Sequence, residues 1–201
     1  MISRIFHPIG QGAFYSEVHR DFNIVYDCGN WKNTSLSKSI VRQSFTSKDE
    51  IDILFISHFD WDHISRIGTL KDTVKRIKCV IMPLLHGEEK IFITNIHRAL
   101  GFDSGDLINN PALFFGEDVK IIFVDSSENQ EVSGEEEPQQ IENISTSIKS
   151  GGSISIGSIG SIEYNWVFIP FNIKHQDRRK FLIPKLENAG FDIGKLKKDR
   201  M

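Results

Sequence analysis

Four side chains that can bind metal ions stand within six residues, directly after an apolar segment. Residues 58–63 read His-Phe-Asp-Trp-Asp-His, and residues 51–57 before them read Ile-Asp-Ile-Leu-Phe-Ile-Ser. Imidazole and carboxylate groups are the ligands that zinc, manganese and iron accept in proteins. Because α/β sheets present functional groups at the carboxyl ends of their strands, this pattern predicts a buried strand followed by a metal-binding loop.

The same loop also admits a structural interpretation. A helix is expected to begin near Ile64, and Asp62 could serve as its N-cap. Capping would account for one of the four polar residues, whereas metal binding accounts for all of them. We therefore favour the metal-binding interpretation, in which the candidate ligands are His58, Asp60, Asp62 and His63.

The N-terminal half resembles the metallo-β-lactamase superfamily. The motif of that superfamily is His-x-His-x-Asp-His, and the chain has the variant His-x-Asp-x-Asp-His, with Asp60 in place of the second histidine. Residues 5–14 look like the opening strand and glycine turn of these proteins. Residues 22–29, which end in Asp27-Cys28-Gly29, look like their second hairpin. The resemblance covers roughly residues 1–85 well and the remainder loosely.

The resemblance implies how the site would be organised. His58 and Asp60 would bind one metal ion. Asp62 and His63 would bind a second, so that the site would hold one or two ions, with zinc expected and manganese or iron as alternatives. Aspartate at position 60 adds a hard oxygen ligand, which shifts the preference from zinc toward manganese or iron. Asp27 would lie beside the ions and orient the histidines.

Further ligands are harder to identify. The family often carries a bridging aspartate in a Thr-Gly-Asp-like turn after a strand, but Gly116-Glu117-Asp118 precedes a strand instead. His86 follows the next buried strand at the suitable end of the sheet, so it is the candidate third ligand, with a surface histidine as the alternative. His175 could also reach the site. His97 is interpreted as a solvated helix residue.

The order of elements predicts an α/β fold. Apolar spacing and turn residues predict strands near 2–7, 11–17, 22–27, 51–57, 79–83, 120–125 and 163–171, a half-buried hairpin within 144–162, and helices over 35–45, 64–78 and 90–100. Ser35 or Ser37 is the expected cap of the first helix. The basic tail from Gly194 is expected to fray.

The resemblance implies a four-layer αββα sandwich, which this chain is expected to fill incompletely. We predict a single domain over residues 1–201 that contains the first half and part of the second, either naturally short or cut. The second half is therefore truncated or atypical. Residues 126–140 are acidic and are expected to form a mobile loop.

Composition limits the classes of partner. The net charge is −3, so no global field attracts nucleic acid non-specifically. No apolar segment approaches the ~18 residues needed to span a membrane, and no secretory signal opens the chain. Cys28 and Cys79 are interpreted as core residues, which predicts a cytoplasmic protein with reduced thiols.

Two functional hypotheses follow. In the first, the chain is a metal-dependent hydrolase in which metal-bound hydroxide attacks a small-molecule or phosphodiester substrate, with the phosphodiester preferred and Asp62 as the catalytic residue that orients the attack. In the second, it is a non-catalytic, truncated or partner-dependent interaction module. Its apolar sheet face would then be covered by a second copy in a homodimer or by a missing second-half segment.

Overall fold

The computed structural model describes residues 2–32, 34–128, 137–159, 162–174 and 176–198. Seven strands within these residues form the main sheet: Ser3–Phe6 (β1), Phe14–Val18 (β2), Asn23–Cys28 (β3), Glu50–Phe55 (β4), Arg76–Pro83 (β5), Lys120–Val124 (β6) and Ser147–Ile148 (β8), in the order β1-β2-β3-β4-β5-β6-β8. A second sheet consists of Gln139–Gln140 (β7), Ile154–Ile159 (β9) and Ile162–Phe168 (β10), in the order β10-β9-β7.

Most helices of the described residues are short, and the two longest have 13 residues each. The helices are Ser35–Ser44 (α1), Trp61–Ile64 (α2), Ile67–Thr73 (α3), Gly87–Ala99 (α4), Gly105–Asn109 (α5), Pro111–Phe115 (α6), Gln176–Asn188 (α7) and Ile193–Leu196 (α8), with a 3₁₀ turn at Ile141–Asn143. None of these described helices has the length and apolar character that crossing a membrane would require. Helix α1 is capped by Thr34 instead of Ser35 or Ser37, because the Thr34 hydroxyl oxygen accepts the Ser37 backbone N–H.

Strand direction places several loops at one edge of the main sheet. Strands β1 to β3 are antiparallel, whereas β3, β4, β5, β6 and β8 run parallel to one another. The predicted β-α-β unit over residues 51–83 is present, with β4 and β5 as its strands. Because parallel strands end at the same edge, the loops that follow β3, β4, β5 and β6 meet there.

The two faces of the main sheet bury different clusters. Neighbouring residues along β4 illustrate the two-residue period, because Ile53 and Leu54 belong to opposite clusters. The cluster of Leu54 packs against the helices and includes Val25, Val41, Ile67, Leu70, Val80 and Ile108. The cluster of Ile53 packs against the second sheet and includes Ile24, Ile81, Ile122, Ile154, Ile156 and Phe168. The layers therefore run helix, sheet, sheet, which confirms the predicted α/β class. The inner face of the main sheet is covered by strands of the same chain.

One helix is shorter than its apolar spacing predicts. Helix α3 ends at Thr73, and β5 begins at Arg76, so the predicted helix over 64–78 is wrong in its last turn. Pairing with β4 explains the change, because Ile77 lies opposite Ile51. Lys75, Arg76 and Lys78 all bond the Glu50 carboxylate, and these bonds lower its pKa to about 2. Such contacts outweigh local helix propensity.

The C-terminal tail packs instead of fraying over its described part. Ile193 and Leu196 of α8 are buried, and the Asn95 side chain of α4 donates to the backbone carbonyls of Leu196 and Lys198. The predicted mobile loop 126–140 has its residues 129–136 outside the described residues. Near its start, Ser127 forms a β-bridge with Ile173, and Gln139–Gln140 form β7 at its end.

Candidate metal centre

The candidate ligands lie at the carboxyl end of β4. The last backbone hydrogen bond of the strand joins Ile56 N–H to the Ile81 carbonyl, and the chain then turns through Ser57 and His58 into α2. This placement follows from the sequence, because the buried strand Glu50–Phe55 has an apolar pattern that its polar successors cannot continue. The loop is therefore held at the functional edge of the sheet.

Asp27, at the end of β3, is the central acceptor of the site. Its side chain is buried, and its Oδ1 accepts the backbone N–H of Ser57 at 2.8 Å, while its Oδ2 accepts the Ser57 hydroxyl at 2.6 Å. Its backbone lies in the left-handed region, with φ +54°, which few residues other than glycine adopt. Such a backbone is kept only where surrounding contacts hold it, as they do here.

The same carboxylate orients His63. The His63 Nδ1 lies 2.9 Å from Asp27 Oδ2, so a proton on Nδ1 donates to the carboxylate and leaves the lone pair of Nε2 available. His58 is held in a similar way, because its Nδ1 lies 2.8 Å from the Ser57 hydroxyl oxygen. The two imidazole rings are neighbours, with centroids 3.8 Å apart. Asp27 and Ser57 thus fix both rings through the nitrogens that would not face a metal.

Asp60 interacts with the other nitrogen of His58. Its Oδ2 lies 3.4 Å from His58 Nε2; the His58 side chain is about half exposed and that of Asp60 is mostly exposed. The hydrogen bond that His58 donates to the Asp60 carboxylate raises the pKa of His58 despite the opposing effect of burial, and the same bond lowers the pKa of Asp60. The Asp60 carboxylate therefore stabilises the positively charged form of the His58 imidazole.

The capping interpretation is wrong for this loop. The N-cap of α2 is Asp60 and not Asp62, and the Asp60 side chain makes no capping hydrogen bond. Asp62 lies in the first turn of the helix, where its backbone carbonyl accepts the Ala13 N–H at 3.1 Å. Helix capping therefore explains the presence of neither Asp60 nor Asp62 in this loop.

Two glycines bring the N-terminal turn against α2. A Cβ atom on Gly12 would lie 2.5 Å from the Asp62 carbonyl oxygen, and one on Gly29 would lie 2.4 Å from the same oxygen. Real Cβ atoms do not approach that closely, so both positions accept only glycine in this arrangement. The glycine turn and the Asp-Cys-Gly segment that carry the family resemblance therefore hold the backbone of Asp62 and His63 in place.

Arg66 supports the loop from behind and was not identified from the sequence. It is buried, its Nε donates to the Ser37 hydroxyl oxygen, and its Nη2 donates to the Lys32 carbonyl. Its backbone N–H donates to the Cys28 carbonyl, next to Asp27. A single arginine thus joins α1, the loop after β3 and the start of α3. The only signal in the sequence was a charge within an apolar stretch.

The other candidate histidines have different surroundings. His86 is exposed and is the N-cap of α4, where its backbone N–H donates to the Glu89 carboxylate. His97 is buried, so its interpretation as a solvated residue is wrong. Its Nδ1 lies 2.6 Å from the Ser104 hydroxyl oxygen, its ring lies beside Trp61, and burial lowers its pKa. His175 lies outside the described residues.

The donor set fits a divalent ion through its chemistry and through one distance. Among the residues that the structure describes, no group of three or more His, Cys, Asp or Glu side chains is placed to hold a metal. The 3.4 Å between His58 Nε2 and Asp60 Oδ2 nevertheless matches two ligands of one ion, since two bonds of ~2.1 Å at a tetrahedral angle span about this distance. His63 is oriented by a carboxylate, as metal-binding histidines usually are.

Comparison with known proteins agrees with the resemblance read from the sequence. Residues 13–88 match the model of the metallo-beta-lactamase superfamily, a segment that includes the ligand loop, Asp27 and Gly29. The predicted family resemblance is therefore confirmed over this segment, and so is the fold of metallo-β-lactamase type with its large sheet and helices. None of the curated proteins matches the chain.

Two solved structures show a partial likeness. One is a candidate metallo-beta-lactamase from Thermotoga maritima, with 12% identity and a TM-score of 0.38, covering 65% of this chain and 58% of that one. The other is a peroxy diiron species of the chemotaxis sensor ODP, with 24% identity and a TM-score of 0.30, covering 41% of this chain and 34% of that one. The chain thus spans less than two thirds of the length of either protein.

Proposed function

We propose that this chain, whose residues 13–88 carry the metallo-beta-lactamase match, is a metal-dependent hydrolase that acts on phosphodiester-type substrates. The observation that carries the proposal is the Asp27–His63 hydrogen bond. Asp27 has a buried carboxylate and a left-handed backbone, and this carboxylate accepts hydrogen bonds from the loop that holds the four candidate ligands. A structural loop would not need His63 fixed through its Nδ1 with its Nε2 left available.

Each residue has a defined role in this proposal. His58 and Asp60 would hold one ion, and Asp62 and His63 would hold a second, with zinc expected first and manganese or iron as alternatives. A bound divalent ion supplies Lewis acidity toward a phosphate oxygen and toward water. Asp62 would orient the attacking water, while Asp27 and Ser57 keep the imidazoles in place. His86, which is exposed at the N-cap of α4, is the candidate for a further ligand.

The first test measures metal content and hydrolysis in one sample. Protein purified without added metal should contain zinc, manganese or iron, and it should hydrolyse bis-p-nitrophenyl phosphate. Asp62→Ala should lower the rate by about 100-fold or more, since it removes both a ligand and the group that orients water. Asp72→Ala, a change of an exposed carboxylate in α3, should leave the rate unchanged. Less than ~0.2 ion per chain after reconstitution with all three metals would refute the proposal.

A second prediction concerns the aspartate that replaces the usual histidine. Asp60→His should raise the affinity for zinc relative to manganese by about tenfold, because imidazole is a softer ligand than carboxylate. The affinities would be measured by competition with a metal-sensitive dye. Asp72→His, which adds an imidazole on the exposed face of α3, serves as the control. An unchanged ratio of affinities in Asp60→His would remove Asp60 from the ligand set.

A partner-dependent module is the second candidate function, and an exposed apolar row favours it. Val167, Ile169 and Phe171 alternate at the end of β10 and beyond it, and they are 46%, 39% and 40% exposed. Val167 lies in β10 and the other two follow that strand within three residues, so a second copy or a further segment could cover this exposed apolar row. Light scattering on the sample used for hydrolysis separates the cases. A dimer that retains no metal and no activity would favour the module over the enzyme.

Both cysteines agree with a reducing compartment and with no role in the chemistry. Cys28 and Cys79 are free and buried, and burial raises the pKa of both thiols, that of Cys79 to about 12. Such thiols remain protonated at neutral pH and are poor nucleophiles. We accordingly propose that the protein works in the cytoplasm, where unpaired cysteines are usual.

A further inference from the structure

A cavity of about 660 Å³ opens at the same edge of the main sheet as the ligand loop. Leu84 and Leu85, which follow β5, and Ser126, which follows β6, form one side of it. Three lysines, Lys174, Lys180 and Lys197, also line it. We name this the lysine cavity. The proposed chemistry of the candidate metal centre uses none of these residues.

Sheet geometry gives the separation between the lysine cavity and the ligand loop. Strands β4, β5 and β6 are consecutive neighbours and run parallel, so their carboxyl ends lie side by side. Adjacent strands are ~4.8 Å apart, which places the end of β6 about 10 Å from the end of β4 along the edge. A ligand the size of one nucleotide could therefore reach from the ligand loop into the cavity.

Several long-range contacts hold the walls of the cavity. The Asn172 side chain donates to the carbonyls of Val124 and Leu84, at 2.8 and 3.3 Å, and ties the segment before Lys174 to the ends of β6 and β5. The Lys174 backbone N–H then donates to the Ser127 carbonyl at 2.8 Å. These hydrogen bonds fix the backbone at Lys174, so this wall of the cavity is held in place by the fold.

The other two lysines come from the C-terminal helices. Lys180 and Ile183 stand three residues apart in α7, which places them on one face of the helix, toward the cavity. Lys197 is the C-cap of α8, and α8 is anchored to α4 by the two hydrogen bonds from Asn95. The packing of the tail thus places Lys197 in the lining of the cavity.

The lining has a charge opposite to that of the whole chain. Among the described residues that line it, three lysines and one glutamate are ionisable and give a net charge of +2, whereas the chain carries −3. The glutamate, Glu89, already accepts the His86 backbone N–H at 3.0 Å. Leu84, Leu85 and Ile173 add an apolar wall. A ligand that matches this lining has anionic groups for the lysines and a body that can pack against the aliphatic wall.

We propose that the lysine cavity binds a nucleotide, with its phosphate at the lysines and its base against the aliphatic wall. That this nucleotide is part of the substrate rests on the proposed function, which is hydrolysis of a phosphodiester. The substrate would then be a phosphodiester with a second phosphate about one nucleotide from the bond that is cleaved. Binding itself requires only the cavity.

The test uses AMP as the probe and titration calorimetry in the Asp62→Ala background, where hydrolysis is removed and binding at the metal centre is weakened. AMP should bind with a dissociation constant below about 1 mM, and adenosine should bind at least ~10-fold more weakly. The double change Lys174→Ala and Lys197→Ala should weaken AMP binding by about 10-fold or more, since each charge contributes a factor of about 3 to 10. Lys174→Arg should retain binding.

Matched controls come from the same helices. Lys185→Ala in α7 and Lys195→Ala in α8 remove equal charge from lysines outside the lining, and both should bind AMP as the parent does. Equal AMP affinity in the double variant and in these controls would overturn the proposal, and so would adenosine binding as tightly as AMP. If AMP binds but the metal-loaded wild type does not hydrolyse bis-p-nitrophenyl phosphate, the result would support nucleotide binding in the lysine cavity and refute the proposed function.

Discussion

Replacing Gly29 with alanine is expected to dismantle the candidate metal centre and to destabilise the whole chain. The new Cβ would lie 2.4 Å from the Asp62 carbonyl oxygen and 2.5 Å from the His63 carbonyl carbon. Both are backbone atoms, so no side chain can rotate away to relieve the clash. We expect a loss of about 3 kcal/mol in the free energy of unfolding, the upper end of what overpacking costs.

The effect should be visible in two independent measurements. For a chain of this size, ~3 kcal/mol corresponds to a fall in Tm of about 6–12 °C. Because the displaced atoms belong to two candidate ligands, metal retention after dialysis should fall as well. Gly87→Ala is the matched control, since a Cβ at this first residue of α4 meets nothing within 4 Å. If Gly29→Ala melted like Gly87→Ala, the close approach of the two backbones would be wrong.

Asp27→Asn is expected to weaken metal binding by about 10- to 100-fold while leaving the fold largely intact. Asparagine has nearly the same shape and tolerates a left-handed backbone, so Asp27 can be changed without forcing φ +54° to relax. The Ser57 N–H bonded to Oδ1 requires an oxygen at that position. The amide nitrogen must then occupy the position of Oδ2, where it faces His63 Nδ1.

That reversal changes which nitrogen of His63 carries the proton. An amide N–H can only donate, so Nδ1 would have to accept, and the proton would move to Nε2. The lone pair proposed to bind the metal would be lost. The stability cost should stay near 1–2 kcal/mol, because neutral hydrogen bonds replace charge-assisted ones. Metal affinity would be measured by competition with a chelator, and stability by urea unfolding.

A second buried carboxylate provides the comparison. Asp52, near the opposite end of β4, accepts the Asn23 backbone N–H and the Lys78 ammonium, each at 2.7 Å. Asp52→Asn should cost a similar amount of stability and leave metal affinity unchanged. Equal metal affinity in Asp27→Asn and the wild type would exclude Asp27 as the residue that orients His63, and it would remove the main support for the proposed function.

The sequence by itself determined the parts of the site that depend on local order. An apolar run followed by His58-Phe59-Asp60-Trp61-Asp62-His63 predicts a strand end with candidate ligands, and the structure has that loop after β4. The glycine turn and the Asp-Cys-Gly segment were identified by their resemblance to the family, which also depends on local order. Their conformations are set by residue type, since glycine alone permits the close approach at Gly12 and Gly29.

Only the tertiary structure decided the features that join distant segments. The end of α3 was set by pairing of β5 with β4, His97 was buried by packing beside Trp61, and the tail was ordered by Asn95, whose partner Leu196 is 101 residues away. The lysine cavity likewise combines residues from five separate segments. Periodicity reports which side of an element is apolar, but not which element will cover it. Which element covers an apolar face depends on contacts between distant segments, and these contacts form only when the chain folds.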